Sequence, residues 1–434
     1  MKFGTDGVRG VANSELTASF AVDLGRAAAR VLGGDEAVVG GDTRLSTAML
    51  EAAFVAGLAS EGVTVHRLGV VPTPVVAFEA ARRGALGAVI SASHNPYRDN
   101  GIKLFARGGT KLTDDVEEQI EQIVFALPAP EGDPAPLRDV EDCPDYREHV
   151  LGAIEGRRLD GLRIVIDAAN GAASGLAGRL FTAAGADVVT IHDEPDGRNI
   201  NQECGATDPA LLAAVVMAHG ADLGLAVDGD ADRLIAVDHR GGVVDGDHVI
   251  AICAVDLRDR GGLREDTVVV TVMANLGFRL AMESAGIKVL ETAVGDRYVL
   301  EALDARALSL GGEQSGHVIF RDLATTGDGL LTGVILADAV KRSGRPLADL
   351  ATAAMTRLPQ VLVNVPVAAP MLDAADRLAA EIAAAEQKLG SQGRILVRSS
   401  GTEPLVRVMV EAQTESVARE TAERLADAVR GASS

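Results

Sequence analysis

Tryptophan is absent from this 434-residue chain, aromatic residues make up only 3% of it, and there are three cysteines. Cys143, Cys204 and Cys253 are far apart and odd in number, which suits neither a disulfide framework nor a zinc site with C-x-x-C spacing. They read as small core or surface residues. The stretch MKFGTDGVRGVANSELTASF lacks the uninterrupted apolar core of a signal peptide, and nowhere do ~18 apolar residues run together as a membrane span requires. A cytoplasmic location without membrane contact is expected. No Gly-Lys dipeptide, G-x-G-x-x-G fingerprint or H-E-x-x-H motif occurs, so the kinase, dehydrogenase and zinc-hydrolase readings lose their usual support.

What is present is a soluble globular composition, with 47% hydrophobic and 24% charged residues and a net charge of -21. Such an acidic chain repels nucleic acid and anionic membranes, so neither is expected as a partner. An anionic small substrate has to be gripped by local cations, which makes Arg and Lys within Gly-rich loops informative. The length exceeds what one hydrophobic core supports, about 250 to 300 residues, so several domains are expected. Strand-like runs (AVVGG, TVHRLGV, LGAVI) alternate with Ala-rich helical stretches, the pattern of a parallel α/β layer, until a Pro-rich segment from Leu127 to Leu137. The alternation resumes at LRIVIDAAN and again at TVVVTVMAN. After about residue 360 it gives way to strand, helix, and two strands joined by a short loop, an α+β signature.

Four stretches carry chemistry. In LGLAVDGDADRLIAV, Asp228, Asp230 and Asp232 recur at period two beyond an apolar strand; in an extended loop their carboxylates share one side, at the strand end where α/β proteins place ligands. Three such charges need a cation, and hard oxygen ligands suit Mg²⁺. A calcium-binding EF-hand fails, because its sixth and twelfth positions hold Arg233 and His239 rather than Gly and Glu. A solvated acidic turn is the plain alternative. In SASHNP, a Ser just past a buried strand can accept phosphate, although Ser, Asn and Pro are also ordinary turn residues. In GGEQSGH, Glu313, Ser315 and His317 alternate and suit sugar hydroxyls, or form a simple Gly-rich connection. In RSSGTEP, Arg398 offers a fork of donors while Ser400, Gly401 and Thr402 offer a nest for phosphate; a plain hairpin loop competes. FGTDGVRG places Arg9 between glycines in the same manner.

Together, SASHNP, DGDADR, GEQSGH and RSSGTEP occur in the order and at about the spacing of the α-D-phosphohexomutase superfamily, and the resemblance covers essentially the whole chain. FGTDGVRG, the Gln of GEQSGH, GDRYV at Gly295 to Val299 and TGDGLLT resemble the phosphoglucosamine mutase branch. The resemblance implies an α/β fold of three similar mixed domains plus a smaller C-terminal α+β domain around a central cleft. It places a phosphoserine loop in residues 1–152, a metal loop in 153–252, a sugar loop in 253–360 and a phosphate loop in 361–434.

The implied reaction interconverts glucosamine 6-phosphate and glucosamine 1-phosphate through a phosphoserine and a bisphosphate, on the route to UDP-N-acetylglucosamine. Ser93 matches the phosphoserine and contributes to the metal site; Asp228, Asp230 and Asp232 match ligands of one Mg²⁺ per chain. Arg233, Glu313, Ser315, Arg398, Ser400, Gly401 and Thr402 match substrate contacts. Arg9, Lys103 and His317 fall in motifs lining the cleft, and Lys103 or His317 is the expected acid or base. Two departures, Ala231 for a common Gly and Ala274 for a common Ser, remove no ligand. Glucosamine 1,6-bisphosphate or another hexose bisphosphate is the implied activator, with priming by a kinase or autophosphorylation, in a monomer or homodimer. The alternatives are a phosphomannomutase or phosphoglucomutase, a Mg²⁺-dependent sugar-phosphate phosphatase, and a catalytically silent phosphosugar-binding protein.

Overall fold

The structure, a computed structural model, describes residues 3–4, 7–367, 371, 373–399 and 404–432. The chain forms two compact units, one of Met1–Met273 with Ile287–Ala354 and one of Ala274–Gly286 with Met355–Ser434.

The first unit contains three sheets. Strands β1 (Val8–Val11), β2 (Glu36–Gly41), β3 (Thr64–Val70), β4 (Leu86–Ile90), β5 (Asp99–Phe105) and β6 (Leu137–Asp139) lie in the order β1-β5-β4-β2-β3-β6. The second sheet holds β7 (Arg163–Asp167), β8 (Asp187–Ile191), β9 (Leu223–Val227), β10 (Leu234–Asp238) and β11 (Val243–Val244), ordered β11-β10-β9-β7-β8. The third holds β12 (Thr267–Thr271), β13 (Lys288–Thr292), β14 (Leu310–Gly312) and β15 (Val318–Phe320), ordered β13-β12-β14-β15. The alternation read from the sequence is thus realised as α/β architecture.

One topological event recurs in all three sheets. A strand parallel to its inner neighbour (β4 on β2, β9 on β7, β14 on β12) is followed by an antiparallel partner, β5, β10 or β15. The reversing loop leaves the carboxyl end of the parallel strand, and each carries one motif: SASHNP, DGDADR or GEQSGH. Burial explains why the preceding strands are uniformly apolar. β4 (LGAVI) and β9 (LGLAV) are buried along their whole length, as strands covered on both faces must be.

Helices α1 (Ala18–Leu32) and α2 (Thr47–Ser60) pack together through glycine. Thr17 caps α1 by accepting from Phe20 N at 3.2 Å. A methyl group on Gly25 would stand 2.3 Å from Phe54 O, and one on Gly57 would stand 2.2 Å from Val22 O. These two positions therefore let the backbones approach, and Leu24, Leu50, Phe54 and Leu58 fill the core beside them. Among the described residues no helix is long and apolar enough to cross a membrane.

The second unit is the expected α+β piece. Strands β16 (Gln360–Pro366), β17 (Arg394–Ser399) and β18 (Leu405–Glu411) form an antiparallel sheet in the order β16-β18-β17. The helix Glu415–Ala432 packs on it through Ala418, Ala422, Leu425 and Val429. The helix Leu276–Ser284 joins this unit from the middle of the chain, and Glu411 anchors it. The fully buried Glu411 carboxylate accepts from Asn275 Nδ2 (3.2 Å), Leu276 N (2.9 Å) and Arg394 Nε (3.0 Å). Arg394 also donates to the Ala274 carbonyl at 2.9 Å, a backbone contact that the unusual Ala at this position preserves.

Candidate active site

β4 runs buried to Ile90, and Ser93 follows in a left-handed conformation, φ 51°. For a residue with a Cβ this costs about 1 kcal/mol, so surrounding bonds have to impose it. Ser93 N donates to Ser91 Oγ (2.9 Å), and the Ser93 carbonyl accepts from Arg44 Nη2 (2.8 Å) and Asn201 Nδ2 (2.9 Å). The result points the buried Ser93 hydroxyl at Asp228, to whose Oδ2 it donates at 2.6 Å. His94 Nδ1 lies 3.2 Å from Ser93 Oγ. Burial, with Arg233 and Arg9 adding to it, pushes the His94 ring down to about 4, so it is neutral at physiological pH.

The aspartates converge by a different route from the one the alternation suggests. The loop from Asp228 to Arg233 is a turn rather than an extended segment, with Ala231 at φ 57° and Ala231 N bonded to Asp228 O at 3.0 Å. Gly229 sits against the serine loop, where a methyl group would stand 2.6 Å from Ser93 O. The three carboxylates are buried, and one oxygen of each lies within 4.8 Å of the others. Thr73 Oγ1 and Lys103 Nζ hold Asp230 Oδ2 at 2.7 and 2.8 Å, and Lys103 Nζ also reaches Asp232 Oδ2 at 3.1 Å.

Asp230 Oδ1 and Asp232 Oδ1 are buried without a hydrogen-bond partner, so the donor set fits a hard divalent cation. The charge distribution agrees. Burial, Asp232 and Asp230 push Asp228 up to about 8; burial alone would also raise Asp232, but Lys103 and His317 outweigh it and hold that carboxyl well below the usual range.

Glu313, Ser315 and His317 occupy the turn between β14 and β15, closed by Glu313 N to His317 O (3.0 Å) and Gly316 N to Glu313 O (3.0 Å). The alternating residues are therefore carried on a hairpin turn between antiparallel strands. Ser315 is exposed and donates to Glu313 Oε2 at 3.4 Å, while His317 is buried between Asp232 (3.7 Å) and Asp296 (3.4 Å). Burial would lower the His317 imidazole, but these two carboxylates outweigh it and raise it above its ordinary value. Arg9, His94, Asp232, Arg233, Glu313 and His317 line a cavity of about 500 Å³ within the first unit. Asp296 of GDRYV also lines it and pairs with Lys111, while its neighbour Arg297 pairs with Glu117 at 2.8 Å.

In the second unit Arg398, the residue before the last of β17, stands opposite Arg407 of β18. Burial, and after it the neighbouring Arg407 charge, lower the Arg398 guanidinium from its usual value. Ser400, Gly401 and Thr402 lie outside the described residues.

Five participants escaped the sequence reading or were given no role by it: Asp42, Arg44, Thr73, His94 and Asn201. The signal for the first two was GGDTRLS, an apolar strand ending in a charged pair. The other group among the described residues whose side chains converge closely enough for a metal, Asp167 with His192 and Cys204, has its carboxylate already satisfied. Asp167 accepts from Ala169 N, Gly205 N and the His192 ring at 2.9 to 3.0 Å, and burial pushes the Cys204 thiol up to about 12.

Comparison with known proteins identifies the family. Models of the phosphoglucomutase/phosphomannomutase family match along the chain: alpha/beta/alpha domain I at residues 1–130, domain II at 144–242, domain III at 245–358 and the C-terminal domain at 362–428. The phosphoglucosamine mutase of Streptomyces coelicolor is 55% identical over 448 residues, covering 99% of both chains. The chain belongs to the phosphoglucosamine mutases, within the phosphohexomutase superfamily. It is accordingly an enzyme of the mutase class. A phosphoglucomutase/phosphomannomutase family protein from Burkholderia thailandensis shares the architecture at a TM-score of 0.84, with 27% identity over 99% of this chain and 98% of that one. The Aspergillus fumigatus N-acetylphosphoglucosamine mutase, solved with GlcNAc-6P and magnesium, has a TM-score of 0.71 at 20% identity over 100% and 96% of the chains, a likeness of fold alone.

Proposed function

We propose that this chain interconverts glucosamine 6-phosphate and glucosamine 1-phosphate, with Ser93 carrying the phosphate between turnovers. The observation that carries this reading is the buried Ser93 hydroxyl bonded to the first of three convergent aspartates at 2.6 Å, in a chain 55% identical to a phosphoglucosamine mutase. Asp228, Asp230 and Asp232 would hold one Mg²⁺, which neutralises charge on the transferring phosphoryl group when bound. The cation in the Aspergillus relative accords with that choice.

In the first half-reaction the bond between phosphorus and Ser93 Oγ breaks while one forms to the free sugar hydroxyl. That hydroxyl gives its proton to a base, and Ser93 Oγ regains one. Lys103 and His317 are the groups we assign to proton transfer, with Lys103 also placing charge beside Asp230 and Asp232. The resulting glucosamine 1,6-bisphosphate turns over, and its other phosphate returns to Ser93; this compound or another hexose bisphosphate would serve as activator. Glu313 and Ser315 contact sugar hydroxyls, Arg9 and Arg233 supply positive charge from the cavity wall, and Arg398 with Ser400, Gly401 and Thr402 anchors the phosphate that is not being transferred. Priming needs a bisphosphate or direct phosphorylation of Ser93, and the product would feed UDP-N-acetylglucosamine synthesis in the cytoplasm.

Phosphorus NMR of the phosphorylated protein with Mg²⁺ and glucosamine 6-phosphate, glucose 6-phosphate or mannose 6-phosphate in parallel tests the assignment. Fastest equilibration of the amino sugar is expected. Preference for glucose or mannose would sink the specificity, and accumulation of inorganic phosphate in place of the 1-phosphate would make the protein a phosphatase.

A further inference from the structure

We propose that Arg44, set by Asp42, is the positioning residue that fixes Ser93 for phosphoryl transfer; the inference rests on the mutase reading above. Arg44 emerges at the carboxyl end of β2 with a side chain that is 0% exposed. All five of its guanidinium N–H groups find acceptors, and four of those are carbonyls of one segment, the serine loop and the first residue of β5. Nη2 donates to Ser93 O and Asn95 O at 2.8 Å each, and Nη1 to Pro96 O at 2.5 Å and Asp99 O at 3.2 Å. Nε donates to Asp42 Oδ2 at 2.8 Å. A buried guanidinium that spends four donors on the backbone of one segment defines the path of that segment.

Asp42 completes the grip from the other side. It accepts from Arg44 N at 3.0 Å, from Thr47 Oγ1 at 2.9 Å and from Ser91 Oγ at 2.6 Å, and Ser91 Oγ in turn accepts from Ser93 N at 2.9 Å. The pair thus holds the Ser93 amide through Ser91 and the Ser93 carbonyl directly. Between those two fixed groups lies the left-handed φ of 51° that aims Oγ at Asp228. A mutase uses the same serine oxygen as leaving group and then as acceptor, so the oxygen has to return to one place in both half-reactions. The pair touches no reacting atom, and its role is geometric.

Arg44→Lys keeps one charge but replaces the planar fork with a single ammonium. In the coupled assay with glucosamine 6-phosphate, kcat should fall about 100-fold, the scale of an ångström-sized misplacement. KM should stay within about threefold of wild type, because substrate contacts are untouched. Asp42→Asn should show the same split, and added guanidinium should restore part of the activity of Arg44→Ala, a response a general loss of stability would not give. Should the Arg44 and Asp42 variants fail to fold, Ser91→Ala removes only the hydroxyl linking Asp42 to Ser93 N and decides the matter, with kcat expected to fall about tenfold at unchanged KM. Folded variants with wild-type kcat, or with the loss confined to KM, would overturn the proposal. Wild-type turnover in the same assay separates the claims: its absence would remove the mutase reading, whereas normal turnover matched by the variants removes only the clamp.

Discussion

Ser93 Oγ and Asp228 Oδ2 meet at 2.6 Å across 135 residues of sequence. The contact joins two of three equivalent reversing loops, each at the end of a parallel strand. Asp228→Asn keeps a polar partner for the hydroxyl but removes a negative charge from the triplet. It should lower kcat by roughly 10² to 10³, the usual loss when one preorganised electrostatic contact is removed. Steady-state assays at saturating Mg²⁺ check this.

The same triplet sets a pH dependence. In the cation-free chain Asp228 is pushed up to about 8, first by burial and then by Asp232 and Asp230. Its folded value exceeds its unfolded one, so its contribution to stability is fully present below about pH 4 and is lost as pH rises through about 8. A cation has to displace that proton. Affinity for Mg²⁺ should therefore rise about tenfold per pH unit between roughly pH 5 and 8, then level off. Titration calorimetry at pH 6.5 in buffers of different ionisation enthalpy should detect about one proton released per Mg²⁺; no release would contradict the assignment.

Gly25→Ala and Gly57→Ala should each destabilise the chain without touching the site. The added methyl groups would lie 2.3 and 2.2 Å from carbonyl oxygens of the facing helix, so α1 and α2 have to separate. A cost of about 1 to 3 kcal/mol is expected from overpacking, read as a lower denaturation midpoint with unchanged KM.

Glu411→Ala leaves Arg394 without its carboxylate and the start of the Leu276–Ser284 helix without its acceptor. Removing one partner of a buried pair costs about 3 to 5 kcal/mol. Urea unfolding should show this loss.

The legibility of the molecule in its sequence follows a physical divide. Strands such as LGAVI and LGLAV announce themselves because a strand covered on both faces has to be apolar throughout, and Ser93 with Asp228, Asp230 and Asp232 stand out because polar groups end such strands abruptly. The loop conformations are not legible in this way: residues alternating at Asp228 to Asp232 and at Glu313 to His317 would share one side in extended backbone, whereas tight turns bring these groups together. Turns of that kind depend on long-range bonds, such as Thr73 N to Asp230 O at 2.9 Å and Leu234 N to Gly316 O at 2.9 Å, which no local pattern encodes. GGDTRLS marks Arg44 as a charge at a strand end, but what it holds is unreadable for a related reason. Its partners are backbone carbonyls some 50 residues away, and a carbonyl has no letter in the sequence.

The central claim is that phosphate resides on Ser93 and passes to the amino sugar. Intact-mass measurement of the phosphorylated protein, mixed in a single turnover with Mg²⁺ and glucosamine 6-phosphate, follows it directly. The account expects transient loss of one phosphate mass from Ser93 matched by glucosamine 1,6-bisphosphate, its return to Ser93 as glucosamine 1-phosphate forms, and no phosphorylation or turnover in Ser93→Ala. Undiminished turnover by Ser93→Ala, or phosphate appearing in water rather than on sugar, would contradict it.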